Sequence, residues 1–94
     1  EQTVCNLRSG FDGTPRTLII EVRRCKEQVS IFSVPTLHGD YRLRSQGLVW
    51  PLEKVDWQNG AFSLSNRACD DYVLHKKDVV LTAEKGAFIV IAPY

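Results

Sequence analysis

Three cysteines, two histidines and a scatter of carboxylates are the residues of this 94-residue chain that could do chemistry. A cysteine nucleophile needs its thiolate beside an imidazole. Here the candidates are Cys5, Cys25 and Cys69 against His38 and His75. A meeting of Cys25 with His38 is conceivable, but no motif around either residue points to one. Carboxylate pairs for acid–base work can be drawn among Glu53, Asp56, Asp70 and Asp71, as in any domain with 11 acidic residues. Asp70-Asp71 beside Cys69 reads more simply as a turn entering a strand. No two cysteines stand in a C-x-x-C spacing, which a zinc ribbon or a dithiol redox pair would need. Two histidines are too few for a convincing metal site. The sequence predicts a protein that is not an enzyme and holds no cofactor or metal.

The remaining use for the cysteines is covalent. Ninety-four residues make one domain, residues 1–94, and a domain this small buries little surface, so a staple matters. Cys5 and Cys69 are one pairing; three pairings are possible, and the spacing does not choose among them. The chain starts at Glu1 and contains no methionine, which fits a processed secretory protein more readily than a trimmed chain, since the cysteines point the same way. Three cysteines in so short a chain also fit an oxidising compartment. A hydrophobic fraction of 44% excludes a disordered chain. The net charge of +1 is too balanced for affinity built on neutralising many phosphates. No apolar run approaches the ~20 residues that span a bilayer. Neither nucleic acid nor membrane is an expected partner.

The elements that must position these residues read as strands. The longest strand signature is Arg16 to Cys25, with Leu18, Ile20 and Val22 on one face. Thr17, Ile19, Glu21 and Arg23 fall on the other. Before it come Gln2 to Arg8 and a turn at Ser9-Gly10-Phe11-Asp12-Gly13; after it, Val29 to Val34 suggests a hairpin partner. Val55-Asp-Trp57 and Ala61 to Ser65 around Asn59-Gly60 suggest a second hairpin. Tyr72 to His75 and Val79 to Leu81 read as short strands. Ala87 to Ile91, an unbroken apolar run, reads as a strand covered on both faces. The sum is an all-β sandwich or small barrel. Leu18, Ile20, Val22, Ile31, Phe88 and Val90 are its expected core.

The charged and aromatic residues outside that core admit two uses each. Arg23, Arg24 and Lys26, with Arg42 and Arg44, protect sheet edges or steer an acidic partner. Trp50 and Trp57 plug one end of the sandwich, or one of them is an exposed interface anchor.

Several segments together resemble the MAX effectors, the avirulence proteins and ToxB-like secreted effectors of ascomycete plant pathogens. They are Val4-Cys5-Asn6, Asp12-Gly13, Pro15-Arg16-Thr17-Leu18-Ile19-Ile20, Cys69 ahead of Tyr72-Val73-Leu74, and the ending Ala92-Pro93-Tyr94. The resemblance covers about residues 3–34 and 68–94. It departs in two places: Thr36 to Asn66 is longer than one fourth strand needs, and Cys25 has no counterpart. What it implies is a six-stranded antiparallel β-sandwich of two three-stranded sheets. A disulfide from the first strand to the start of the fifth would be Cys5–Cys69, leaving Cys25 a free thiol. The implied role is that of a secreted monomer, translocated into the host cell and open to recognition by immune receptors. Its implied partner is a host plant protein, with a heavy-metal-associated domain as one candidate. The second strand lies at the outer edge of its sheet in that family, so Arg16, Thr17, Ile19, Glu21 and Arg23 are the expected partner-binding residues. A bacterial periplasmic inhibitor or immunity protein is the alternative, sharing size, staple and lack of catalysis.

Overall fold

The computed structural model describes residues 2–10, 12–21, 28–35, 40–57 and 62–93. Seven strands form: β1 (Gln2–Arg8), β2 (Arg16–Ile20), β3 (Gln28–Val34), β4 (Arg42–Gln46), β5 (Phe62–Arg67), β6 (Val79–Lys85) and β7 (Ala87–Pro93). They make a four-stranded sheet, β1-β7-β3-β5, and a three-stranded one, β2-β6-β4. Every pairing is antiparallel. The all-β reading stands. The expected six strands in two three-stranded sheets do not.

One chain segment runs through the middle of both sheets. β6 leads into β7 through Gly86 alone, and the two strands occupy different sheets. Gly86 takes φ +91°, and an added Cβ would meet the Asp40 carbonyl oxygen at 2.9 Å. Only glycine makes this corner without strain. The ladders flanking it follow the bend. β1 pairs Arg8 with Ala87, Ser9 donates to the Gly86 carbonyl at 3.0 Å, and β2 resumes with Arg16 opposite Ala83. On the other side β3 ends with Val34 opposite Ala87, and β4 begins with Arg42 opposite Lys85. A Leu48–Ala68 bridge links the two sheets again beyond β4 and β5.

The alternation of each strand then decides the core. Leu7, Phe88, Val90, Val29 and Ile31 face inward from the larger sheet, and Ile20, Val79, Leu81, Ala83 and Leu43 meet them from the smaller. Leu52, on a 3-10 turn at Leu52–Lys54, and Trp57 close one end. Of the expected core, Ile20, Ile31, Phe88 and Val90 are buried and Leu18 is half-buried against them, while Val22 lies outside the described residues.

Four expectations need correction. β2 and β3 are not a hairpin: β2 pairs with β6 and β3 with β7, in separate sheets. Val55 to Trp57 is no strand, and β5 pairs with β3 instead; the Asn59-Gly60 turn is outside the described residues. Tyr72 to Leu74 belong to a short helix, α1 (Asp70–Leu74), whose first turn carries both aspartates where the helix dipole favours them. The disulfide Cys5–Cys69 is also absent, for both thiols are free. Cys5 sits on β1 and Cys69 follows β5, the two opposite edges of the larger sheet. With two strands between them, at ~4.8 Å per spacing, the edges are ~14 Å apart. A disulfide spans at most ~7 Å between Cα atoms. Cys25 lies outside the described residues.

Candidate protein-binding edge

β2 is an edge strand: β6 takes one side of its backbone, and no described strand takes the other. The turn before it fixes how it enters. Asp12 accepts hydrogen bonds through Oδ1 from the Thr14 hydroxyl and the Thr14 N–H, and Gly10 N–H donates to the Thr14 carbonyl at 2.8 Å. The Thr14 hydroxyl, then its amide, and least of all the Arg16 charge hold the Asp12 carboxyl below its ordinary value of 3.8. The depressed value means the turn is favoured above the ordinary value and loosened as pH falls through the lower one. Carboxyl NMR titration should find the Asp12 midpoint below 3.8. Thr14→Val, which removes the hydroxyl, should move it part of the way back.

Along β2 the side chains part by the two-residue period. Leu18 and Ile20 turn to the core; Thr17 and Ile19 turn to the outer face of the smaller sheet. Ile19 is 60% exposed, beside Val80 of β6 with Gln46 of β4 next in the row. In the neighbouring row the Thr17 and Thr82 hydroxyls approach to 3.3 Å, and Arg44 lies opposite Thr82. Arg44 Nε is 3.6 Å from a Glu84 carboxylate oxygen, and Arg42 projects from the same face. The outer face is therefore polar with one apolar spot.

The five residues chosen from the sequence do not gather on one surface. Thr17 and Ile19 share the outer face. Arg16, opposite inward-facing Ala83, is exposed at the strand's start on the other side of the pleat. Glu21 is exposed just past the strand's end, and Arg23 lies outside the described residues, as do Arg24, Lys26 and His38.

The two tryptophans separate cleanly. Trp57 is 2% exposed, with its indole N–H donating to the Leu52 carbonyl at 3.1 Å. Trp50 is 55% exposed, yet its backbone is gripped from below by fully buried Asn66. The Asn66 amide accepts from Trp50 N–H at 3.2 Å and donates to the Trp50 carbonyl at 2.8 Å. Asn66 gave no sign of this in the sequence; only its zero exposure and its place after the Ser63 bulge reveal the clamp.

The residues weighed for catalysis are placed otherwise. His75 Nδ1 lies 3.0 Å from an Asp71 carboxylate oxygen and 2.9 Å from the Asp71 carbonyl, on the exposed end of α1. Cys69 caps the start of that helix through its backbone. A hollow of about 410 Å³ lies between β4 and the 3-10 turn, walled by Tyr41 and Trp57 and rimmed by Arg44, Glu53 and Glu84. Its aromatic polar atoms are already spent, on the Val34 and Leu52 carbonyls, and Glu53 accepts from Ser45 N–H and Oγ. Among the described residues no three His, Cys, Asp or Glu side chains are grouped to hold a metal ion. No protein-family model, curated protein or solved structure matches this chain.

Proposed function

We propose that the chain acts by protein–protein binding, as a secreted fungal virulence effector that engages a host plant protein. This is the role implied by its resemblance to the MAX effectors, and β2 is the strand that docks. The observation that carries the reading is the outer edge of β2, which no described strand pairs, with Ile19 exposed beside it. An edge strand of this kind adds to a partner's sheet through main-chain hydrogen bonds, while side chains beside it set specificity. Burying Ile19 would contribute on the order of 1–2 kcal/mol, and Arg16 and Arg44 would steer an acidic surface towards the edge. The same charges keep the edge from sticking to itself before a partner arrives.

The test is titration of isotope-labelled protein with a heavy-metal-associated domain, following backbone amide shifts. Shifts clustered on residues 16–21, with Ile19→Asp weakening binding by about tenfold, the equivalent of ~1.4 kcal/mol, support the edge. A second reading rests on Trp50, an exposed aromatic whose backbone is held by Asn66, and exposed tryptophans often serve as interface anchors. Shifts confined to residues 41–57 would move the interface there. Absence of binding to any host protein tried would sink the effector reading.

A further inference from the structure

The first strand presents a second edge that no described strand pairs, and its one charge, Arg8, stands at its end. From Gln2 to Leu7 the sequence carries no charge and no proline. Natural edge strands are usually blunted by one or the other. No described strand pairs with the outer side of β1, and Val4 on it is 66% exposed.

The face beside that edge is mixed, with its apolar residues concentrated on β7. Cys5 and Leu7 turn to the core side, so Val4 turns outward, in one row with Ile91 of β7 and Ser30 of β3. The next row is Asn6, Ile89 and Phe32, and after it come Arg8, Ala87 and Val34. Ile89, Ile91 and Phe32 are half-buried. The close neighbours of β7 are β1 and β3, which lie beside it and not over it. Among the described strands, none lies over the outer face of β7.

We propose that β1 pairs with β1 of a second copy of this chain, antiparallel and about a two-fold axis at Val4. The register is what selects a second copy over a foreign strand. With the axis at Val4, that residue meets Val4 of the second copy, and Thr3 meets Cys5 of the second copy. No charged residue faces a like charge between Gln2 and Asn6, and the net charge of +1 adds little repulsion between copies. The outward row becomes Ile91, Val4, then Val4 and Ile91 of the second copy, a continuous apolar strip across an eight-stranded sheet. A two-fold pairing also consumes both edges, so association stops at two and does not grow into a fibre. β2 remains free in such a dimer. The monomer expected from the sequence is then the dilute form only.

Light scattering across a concentration series tests this directly. The mass should climb from the 10.7 kDa of one chain toward twice that value. Val4→Lys and Val4→Glu place like charges across the axis, so each alone should stay monomeric. A mixture of the two should recover the dimer, since lysine then faces glutamate. Val4 is exposed, so neither variant threatens the fold, and Ile19→Lys on the β2 edge should leave the dimer unchanged. Thr3→Cys should give a covalent dimer on mild oxidation by bonding to Cys5 of the second copy. Wild-type protein that remains monomeric at ~1 mM overturns the proposal, whether or not some other strand can be added to β1. So does a dimer that Val4→Lys leaves intact, or one in which Thr3→Cys fails to cross-link.

Discussion

Phe88→Ala is expected to lower the free energy of unfolding by about 3–5 kcal/mol. Phe88 is 1% exposed on the inner face of β7, one of the two inner strands of the larger sheet. Its ring meets Trp57 edge-to-face at 5.3 Å and Tyr41 at 5.8 Å. Those two aromatics come from the segment after the 3-10 turn and from the approach to β4, so one side chain fastens three parts of the chain. Truncation removes the transfer energy of the ring, leaves a cavity, and forfeits aromatic contacts worth about 0.5–1.5 kcal/mol each. A small domain has only about 5–15 kcal/mol in all. Urea denaturation followed by Trp57 fluorescence should show the midpoint fall by a third or more. A loss under about 1 kcal/mol would mean that the aromatic cluster repacks freely and is not the centre of the core.

Asn66→Leu is expected to cost about 2–5 kcal/mol although it adds apolar volume to a buried site. Asn66 accepts hydrogen bonds from Trp50 N–H and Arg67 N–H, and donates to the Trp50 carbonyl and to Ser63 Oγ. Leucine strands those backbone groups in the interior, at about 1–3 kcal/mol for each that water cannot reach. Amide exchange at Trp50 and Arg67 should quicken far more than exchange in β2 or β6. If the variant is as stable as the parent, water already serves these groups and the clamp is incidental.

How far the sequence could be read depended on the range of the interaction. The parity of Leu18, Ile19 and Ile20 was legible because a strand's two faces are a property of adjacent residues. So was the turn at Ser9 to Gly13, where Gly13 takes φ +84°. Partner strands were not legible. The nearest strand in sequence is usually the neighbour in space, but β3 belongs to the other sheet and pairs with β5 and β7. α1 was read as a strand because Tyr72 and Val73 favour strands, and a five-residue helix is too short to display a 3.6-residue period. The unbroken Ala87 to Ile91 run had two physical solutions, a strand buried on both faces or one with an apolar outer face, and periodicity does not separate them. For the candidate site, the exposure of Ile19 and the edge position of β2 matched the expectation. The identity of the exposed tryptophan and the buried Asn66 that holds it came only with the structure.

The corner at Gly86 has a consequence for the order in which this chain can fold. Because β6 and β7 are inner strands of the two sheets, neither ladder of β1 and β2, nor the β4 ladder, has anything to pair with until residues 79–93 are present. Of the described pairings, only β3 with β5 and the Leu48–Ala68 bridge can form earlier. A nascent chain would therefore carry five strands with mostly unpaired edges until its last strands arrive, then close the pairing of Gln2 with Pro93 across nearly its whole length. Such non-local closure places folding in the millisecond-to-second range typical of β-sandwiches. It also makes truncation before Val79 severe: of the described strand ladders only that of β3 with β5 remains, and the core loses Val79, Leu81, Ala83, Phe88 and Val90.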